Sequence, residues 1–514
     1  MFLLQANTTS LLNVADLQLI APELILTACA CIALVMEVIL PYRKSKLTAY
    51  FALIGIALAG VSLAIQWIGI PAGVALDGFY GMVRIDGFAL LFKAVFLISA
   101  ALAIGIATRY LDIEGEQHGE YYALVLFATV GMMFLACGYD LITLYIGLEL
   151  MALTFYVLVA FTKRQKKSNE AAMKYFLLGA FSSGVLLYGM SLLYGIAGST
   201  NVGEIAQAIS AAMGNLQGTA ENANATLRPM LLLAMIALAA GLFFKIAAVP
   251  FHMWAPDVYE GAPTSVTAFL STGSKAASFA LYARIFIEAL GGMRADWAPL
   301  LAIVAAITIM VGNWAAVTQE NSKRLLAYSS ISNAGYLLLG LIAGNSYGYV
   351  GLVIYLLVYT LMNMGAFGVI ISLRRRGMIG DNVDDLTGLG QKAPALAAMM
   401  TVFMLSLGGL PVTGGFIGKY FLFGGLLQRG TAEHKNWYYW LAVWAILNTV
   451  VSFYYYFRFI KVMYLGDRVA DDKPLSLSPA LQTALAVSLV GIIFVGVYPQ
   501  PFVKVAQQLL QYLS

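Results

Sequence analysis

Long, nearly uninterrupted apolar runs dominate this chain and leave it few folds to choose from. A helix needs about 20 apolar residues to cross the hydrocarbon core of a bilayer. About fourteen segments approach or exceed that length, near 18–40, 48–69, 87–108, 121–138, 141–162, 173–197, 229–252, 264–289, 298–317, 325–344, 350–373, 394–427, 437–464 and 480–510. The runs are continuous rather than alternating, which excludes barrel strands. Only helices then satisfy their own backbone in lipid. Of 514 residues, 61% are hydrophobic and 11% charged, whereas soluble domains are about a quarter charged. The expected fold class is an all-α membrane protein with about 14 transmembrane helices.

The net charge of +4 is small and dispersed, which excludes a nucleic-acid surface. Its placement is more informative. Arg43, Lys44 and Lys46 follow the first span; Lys163, Arg164, Lys166 and Lys167 follow the fifth. Lys323 and Arg324 follow the ninth, and Arg374, Arg375 and Arg376 the eleventh. These loops share one side, so the positive-inside rule puts both termini on the outer side. The N-terminal MFLLQANTTS has no basic n-region, so no cleavable signal is expected. Cys29, Cys31 and Cys137 fall in apolar spans without metal-ligand spacing and are expected to be small buried hydrophobes.

No stretch has the composition of a soluble domain. The longest polar interruptions are 198–228, read as a short surface helix with loops, and the turn-rich 374–393. Neither carries a phosphate-binding glycine loop, a Cys/His cluster or a nucleophile elbow. Spans four to eight and nine to thirteen form two blocks of five, each with a broken fourth member: span seven at Pro250 and span twelve at Pro411. An odd number of helices per block inverts the copies in the membrane. The expected organisation is N-terminal helices in 1–120, a first repeat in 121–290, a second, inverted repeat in 298–464 and a C-terminal helix in 465–514.

Ionisable residues inside such runs cost several kcal/mol, about 2.5–3.5 on insertion scales, so they are functional by default. Lys245 stands five residues before Pro250, and Lys419 eight beyond Pro411 amid Gly414, Gly415 and Gly418. Broken apolar helices that carry charge are the strongest sequence pointer to an ion path. Glu149 lies nine residues past Asp140, roughly 13–14 Å deeper along a helix. Lys275 follows Ser271-Thr272-Gly273-Ser274; it serves either as a relay or as a structural hydrogen-bonded lysine. Lys174 sits near the inner loop, where snorkelling competes with function. His252 either extends a relay beyond Pro250 or caps a helix.

Glu37 and Lys93 pair either with neighbours or with another subunit. Asp257 and Glu260 are loop caps or proton-entry acids, and Tyr454-Tyr455-Tyr456-Phe457-Arg458 is packing plus interfacial anchoring. Burial disfavours a charged amine, whereas a nearby carboxylate favours it. At about 4 Å and an effective dielectric of about 20, such a pair is worth about 4 kcal/mol. Opening and closing a Glu149–Lys245 pair would therefore load and release a proton.

The segment 245–262, KIAAVPFHMWAPDVYEGA, with Leu270-Ser271-Thr272-Gly273-Ser274-Lys275, resembles the antiporter-like subunits of respiratory complex I. Lys323–Ser332 (KRLLAYSSIS), Lys174–Gly184 (KYFLLGAFSSG) and Gly414–Lys419 (GGFIGK) are similar to the same family, and the resemblance covers about residues 20–500. It implies fourteen helices with two inverted five-helix repeats. It pairs Glu149 with Lys245, makes Lys174 the modulating lysine, Lys275 the central relay and Lys419 the distal charge. It also implies a proton-translocating, non-redox subunit in a bacterial inner membrane. Other membrane-arm subunits would be its partners, and NADH, FMN, iron–sulfur clusters and quinone would be bound elsewhere in the complex. No cofactor or metal site is expected in this chain. A Mrp-type cation/proton antiporter subunit and a subunit of a ferredoxin- or hydrogenase-linked complex are the rival classes; Lys419 and the HMWAPDVYEGAP wording weigh against the first.

Overall fold

The computed structural model describes residues 14–39, 46–71, 73–216, 221–374, 380–466, 475 and 477–510, with backbone alone for 214–216 and 221–226. The N-terminal ten residues, Arg43, Lys44, Arg375 and Arg376 lie outside the described residues.

The chain begins with α1 (Val14–Leu19), α2 (Ala21–Ile39) and α3 (Lys46–Gly69), followed by an antiparallel hairpin of β1 (Leu76–Gly78) and β2 (Val83–Ile85). Next come α4 (Gly87–Glu114), α5 (Gly119–Cys137), α6 (Leu141–Val159), α7 (Lys166–Ala197), α8 (Val202–Leu216) and α9 (Glu221–Ile246). A short α10 (Trp254–Gly261) leads into α11 (Thr264–Phe269) and α12 (Lys275–Tyr282). The second half holds α13 (Arg294–Val317), α14 (Ser322–Ala343), α15 (Ser346–Leu373), a one-turn α16 (Leu389–Lys392), α17 (Pro394–Gly408) and α18 (Gly414–Glu433). It closes with α19 (Trp437–Leu465), α20 (Pro479–Val497) and α21 (Gln500–Leu509).

Local chemistry sets the helix ends. Asp86 and Asp140 accept from Ala89 N and Ile142 N at 2.8 Å each, capping α4 and α6. Each satisfies a backbone donor that the first helical turn leaves free. Gly115, Gly198 and Gly344 end α4, α7 and α14 in the left-handed conformation, where a Cβ would be penalised.

Twelve helices among the described residues are long and apolar enough to cross a membrane. α14 and α15 are enclosed almost along their whole length and form the centre, while α2 and α3 present most of their surface outward. Cys31 is accordingly exposed, which corrects the expectation of three buried cysteines. Two residues along α2 turn it away from Cys29, which packs inward.

The expected eighth and twelfth spans are absent from those twelve for a physical reason. Between 264 and 289 the helix changes winding: Leu270–Ser274 and Ala283–Ala289 are π-helical and flank α12. In the twelfth, α17 stops at Gly408, and Gly409 (φ 87°) and Val412 (φ 75°) are both left-handed before α18 starts. At Pro250 the pattern recurs: α9 ends at Ile246, Ala247 has φ 57°, and the Val249–Pro250 peptide is cis. Left-handed backbone at a non-glycine residue costs on the order of 1–3 kcal/mol and concentrates at functional sites. The small hairpin and the π segments have no counterpart in the apolar pattern, which reports length and not winding.

Candidate functional site

Lys245 occupies the last turn of α9, two residues before the left-handed Ala247, and is almost fully buried. Its Nζ has no hydrogen-bond partner, and neither has the buried Oε1 of Glu149 on α6. Both helices pack against α7. The two side chains are not within ion-pair distance, so the expected pair is open, although Glu149 is the charge that acts on Lys245 across the gap. An unpaired buried charge is costly, and a site that keeps two opposite ones apart is prepared to exchange partners. His252 lies half-buried in the turn after Pro250.

Aromatic side chains enclose this break. Trp254 Nε1 donates to Phe244 O at 2.9 Å; the indole stacks on Tyr175 with centroids 4.7 Å apart, and Tyr156 meets Tyr175 edge-on at 4.8 Å. Val249 N donates to Thr308 Oγ1 at 3.0 Å, tying the break to α13.

Lys174 precedes Tyr175 yet points elsewhere. It joins Glu170 (2.8 Å) and Asp257 (2.9 Å) in an open cleft of about 160 Å³, and its side chain is 43% exposed. Arg324 reaches the other oxygen of Asp257 (3.0 Å) and Glu260 (3.2 Å), which also pairs with Lys167 (3.1 Å). Burial opposes ionisation of Asp257, but hydrogen bonds from Lys174 and Arg324 outweigh it and hold the carboxyl below the usual carboxylate range. Glu260 is lowered likewise, by Lys167 and Arg324 against its own burial. Lys174 therefore belongs to this cleft and not to the Glu149–Lys245 pair.

The two remaining lysines are held by oxygen. Lys275, the first residue after the π turn, donates to the Ser330 carbonyl and to Ser330 Oγ (2.5 Å), with the Tyr359 ring 5.4 Å away. Lys419 donates to Leu407 O and Gly408 O at 3.1 Å each, the last carbonyls of α17, and lies 4.7 Å over the Tyr336 ring. A cation there meets the negative end of the helix dipole. Lys323 repeats the arrangement at the end of α10, donating at 2.7 Å to both Glu260 O and Ala262 O. A lysine in a basic loop pattern gives no hint of such burial.

Between Lys275 and Lys419 runs a line of hydroxyl and amide groups. Ser329, next to Ser330, meets the Tyr456 hydroxyl at 2.5 Å. Asn333 Nδ2 donates to Ser329 O (2.9 Å), and Tyr355 OH donates to Asn333 Oδ1 (2.5 Å). The Tyr455 and Tyr456 rings are 4.4 Å apart. Tyr455 OH donates to Asn313 Oδ1 (2.9 Å), whose Nδ2 donates to Tyr336 OH (3.4 Å). Tyr455 and Tyr456 were expected as packing and anchoring; they pack into the bundle interior from α19 with their hydroxyls engaged, and of the three tyrosines only Tyr454 faces outward. Lys93 is buried against Glu23 at 2.6 Å, so its partner is internal, and Glu37 faces His118 at 3.6 Å.

Buried lysines beside helix irregularities in a multi-pass bundle define a membrane protein that carries titratable groups deep within its helices. Residues 138–447 match the family model described as NADH:quinone oxidoreductase/Mrp antiporter, TM, and the chain belongs to that family. NADH-quinone oxidoreductase subunit N 2 of Solibacter usitatus is 48% identical over 499 residues, 96% of this chain and 97% of the relative. A chain of respiratory complex I from Thermus thermophilus has 32% identity and a TM-score of 0.77, with 95% of this chain and 99% of that one covered. A chain of the Mrp complex from Dietzia sp. DQ12-45-1b shares the fold, with a TM-score of 0.80 over 97% of each chain, at 20% identity.

Proposed function

We propose that this chain translocates protons in the membrane arm of a type-I NADH:quinone oxidoreductase, through Glu149, Lys245, Lys275 and Lys419. The Lys174–Asp257 cleft serves as the mouth of the path and Lys174 as its modulating charge. The chain is a proton-translocating membrane-arm subunit of complex I and works beside other membrane-arm subunits. In this reading it carries out no redox step itself: NADH, FMN, iron–sulfur clusters and quinone belong to partner subunits. The basic loops face the cytoplasm, both termini the outside, and the 121–290 and 298–464 blocks are inverted copies of one unit.

The observation that carries the reading is the row of buried polar side chains between Lys275 and Lys419, hydrogen-bonded in three segments: Lys275 to Ser330, Ser329 to Tyr456, and Tyr455 through Asn313 to Tyr336, whose ring lies under Lys419. Neutral hydroxyls inside a bundle add no charge of their own, yet each can accept a proton on one side and release one on the other, while the Asn313 amide holds Tyr455 and Tyr336 in register. Full-length identity to a subunit N relative favours this reading over a Mrp-type antiporter or a hydrogenase-linked complex.

Substituting Lys275→Ala in the assembled complex tests it. In reconstituted vesicles, proton pumping should fall on the order of tenfold, as expected for about 1.4 kcal/mol on the limiting step. Unchanged pumping with intact assembly would refute the path.

A further inference from the structure

At the end of the bundle that carries the β1–β2 hairpin, Arg284 is fully buried, with every guanidinium N–H engaged. Nε and Nη2 donate to Ala136 O at 3.0 and 2.8 Å. Asp86 takes two more bonds, at 2.8 and 3.0 Å, and the last goes to Glu288 Oε1 at 2.6 Å. Asp86 also accepts from Ala89 N, so its carboxylate is fully committed. Among the described residues, Glu288 is met by the shared Nη1 and the Tyr139 hydroxyl.

Two neighbouring cations have carboxylates of their own. Arg84 lies 3.5 Å from the Tyr139 ring centroid and pairs with Asp77 at 2.7 and 2.9 Å. Lys93 pairs with Glu23, which also accepts from Cys137 Sγ. With Asp77 on Arg84 and Glu23 on Lys93, the single Arg284 guanidinium is shared by two carboxylates, Asp86 and Glu288. Beyond Glu288 stands Tyr349 of α15; behind it, Arg294 and Arg429 are bound to Ile342 O, Ala343 O and Gly344 O, and Arg429 to Glu433. Of the two acids on Arg284, Asp86 is 1% exposed and Glu288 11%.

We infer that Glu288 is a proton-binding site at the hairpin end of the bundle, loading and releasing a proton to the water on that side. Two carboxylates held on one guanidinium repel each other, and taking up a proton on Glu288, the more exposed of the two, relieves that repulsion. The Arg284 bond holds the Glu288 carboxyl in place while one oxygen exchanges its proton with solvent. Glu288 stands thirteen residues beyond Lys275 on the same helical run, about 20 Å along the axis. The site rests on the proton-moving reading of the lysines and adds a terminus to it.

The test uses the whole complex in vesicles, with pumping followed while the pH on the hairpin side is varied. Glu288→Gln keeps the hydrogen-bonding shape and imitates the protonated form. It should assemble, reduce quinone at the wild-type rate when uncoupled, pump severalfold more slowly and lose the pH step seen in the wild type. Wild-type pumping with an unchanged pH profile overturns the site. So does failure to assemble, because a proton-exchanging acid must tolerate being neutral. Lys275→Ala, measured alongside, reports on the lysine path by itself, so loss of one assignment leaves the other standing.

Discussion

Lys245 and Glu149 face each other without touching, and this makes their chemistry separable by substitution. Lys245→Ala removes a membrane charge, so insertion should become easier and the complex should still assemble. Coupled oxidoreduction and pumping should nevertheless drop together, on the order of tenfold. Lys245→Arg keeps the charge but cannot release a proton near neutral pH, so it should rescue little. Full pumping with arginine would make Lys245 an electrostatic post. Lys245, Lys275 and Lys419 were legible in the sequence because a lysine amid apolar residues has few explanations. Arg284 carried a comparable signal, but it lies near the end of its run, where an arginine ordinarily reaches for the interface. The hydroxyls of Tyr455 and Tyr456 were illegible for another reason: an apolar pattern records the ring and says nothing of where its oxygen points.

At the scale of elements, the break between α17 and α18 is determined more than once. Pro411 is the visible cause, but Gly409 and Val412 both hold left-handed backbone around it. Removing the proline alone should therefore not restore a continuous helix, and Pro411→Ala should retain most pumping. Gly409→Val is the damaging change. It puts a β-branched residue at φ 87°, and its Cβ would come to 3.0 Å from Lys419 Cδ, pushing the amine off the Leu407 and Gly408 carbonyls. Pumping assays on the two variants check this, and equal loss in both would refute it. The broken helices could be anticipated because proline and glycine are local signals. The π segments flanking α12 could not, since their extra residue per turn is fixed by packing, against α4, α5 and α15 for the first and against α8 and α13 for the second.

For the whole molecule, orientation is the open quantity that charge placement decides. Cysteines placed at Lys166 and in the Val202–Leu216 helix should react from opposite faces of the membrane, the first from the cytoplasm. Labelling in the reverse sense would invert the path. Orientation also sets what each leg of the path costs. Ser330, which holds Lys275, and Tyr336, which lies under Lys419, are six residues apart on the central helix α14. With α14 along the membrane normal, that separation is about 9 Å of a hydrocarbon core of about 30 Å. A full crossing is worth about 2.3 kcal/mol per charge at 100 mV, so this leg works against about 0.7 kcal/mol of it. Most of the transmembrane voltage must then fall across the entry and exit legs, which makes the polar line between the two lysines the step least throttled by an energised membrane.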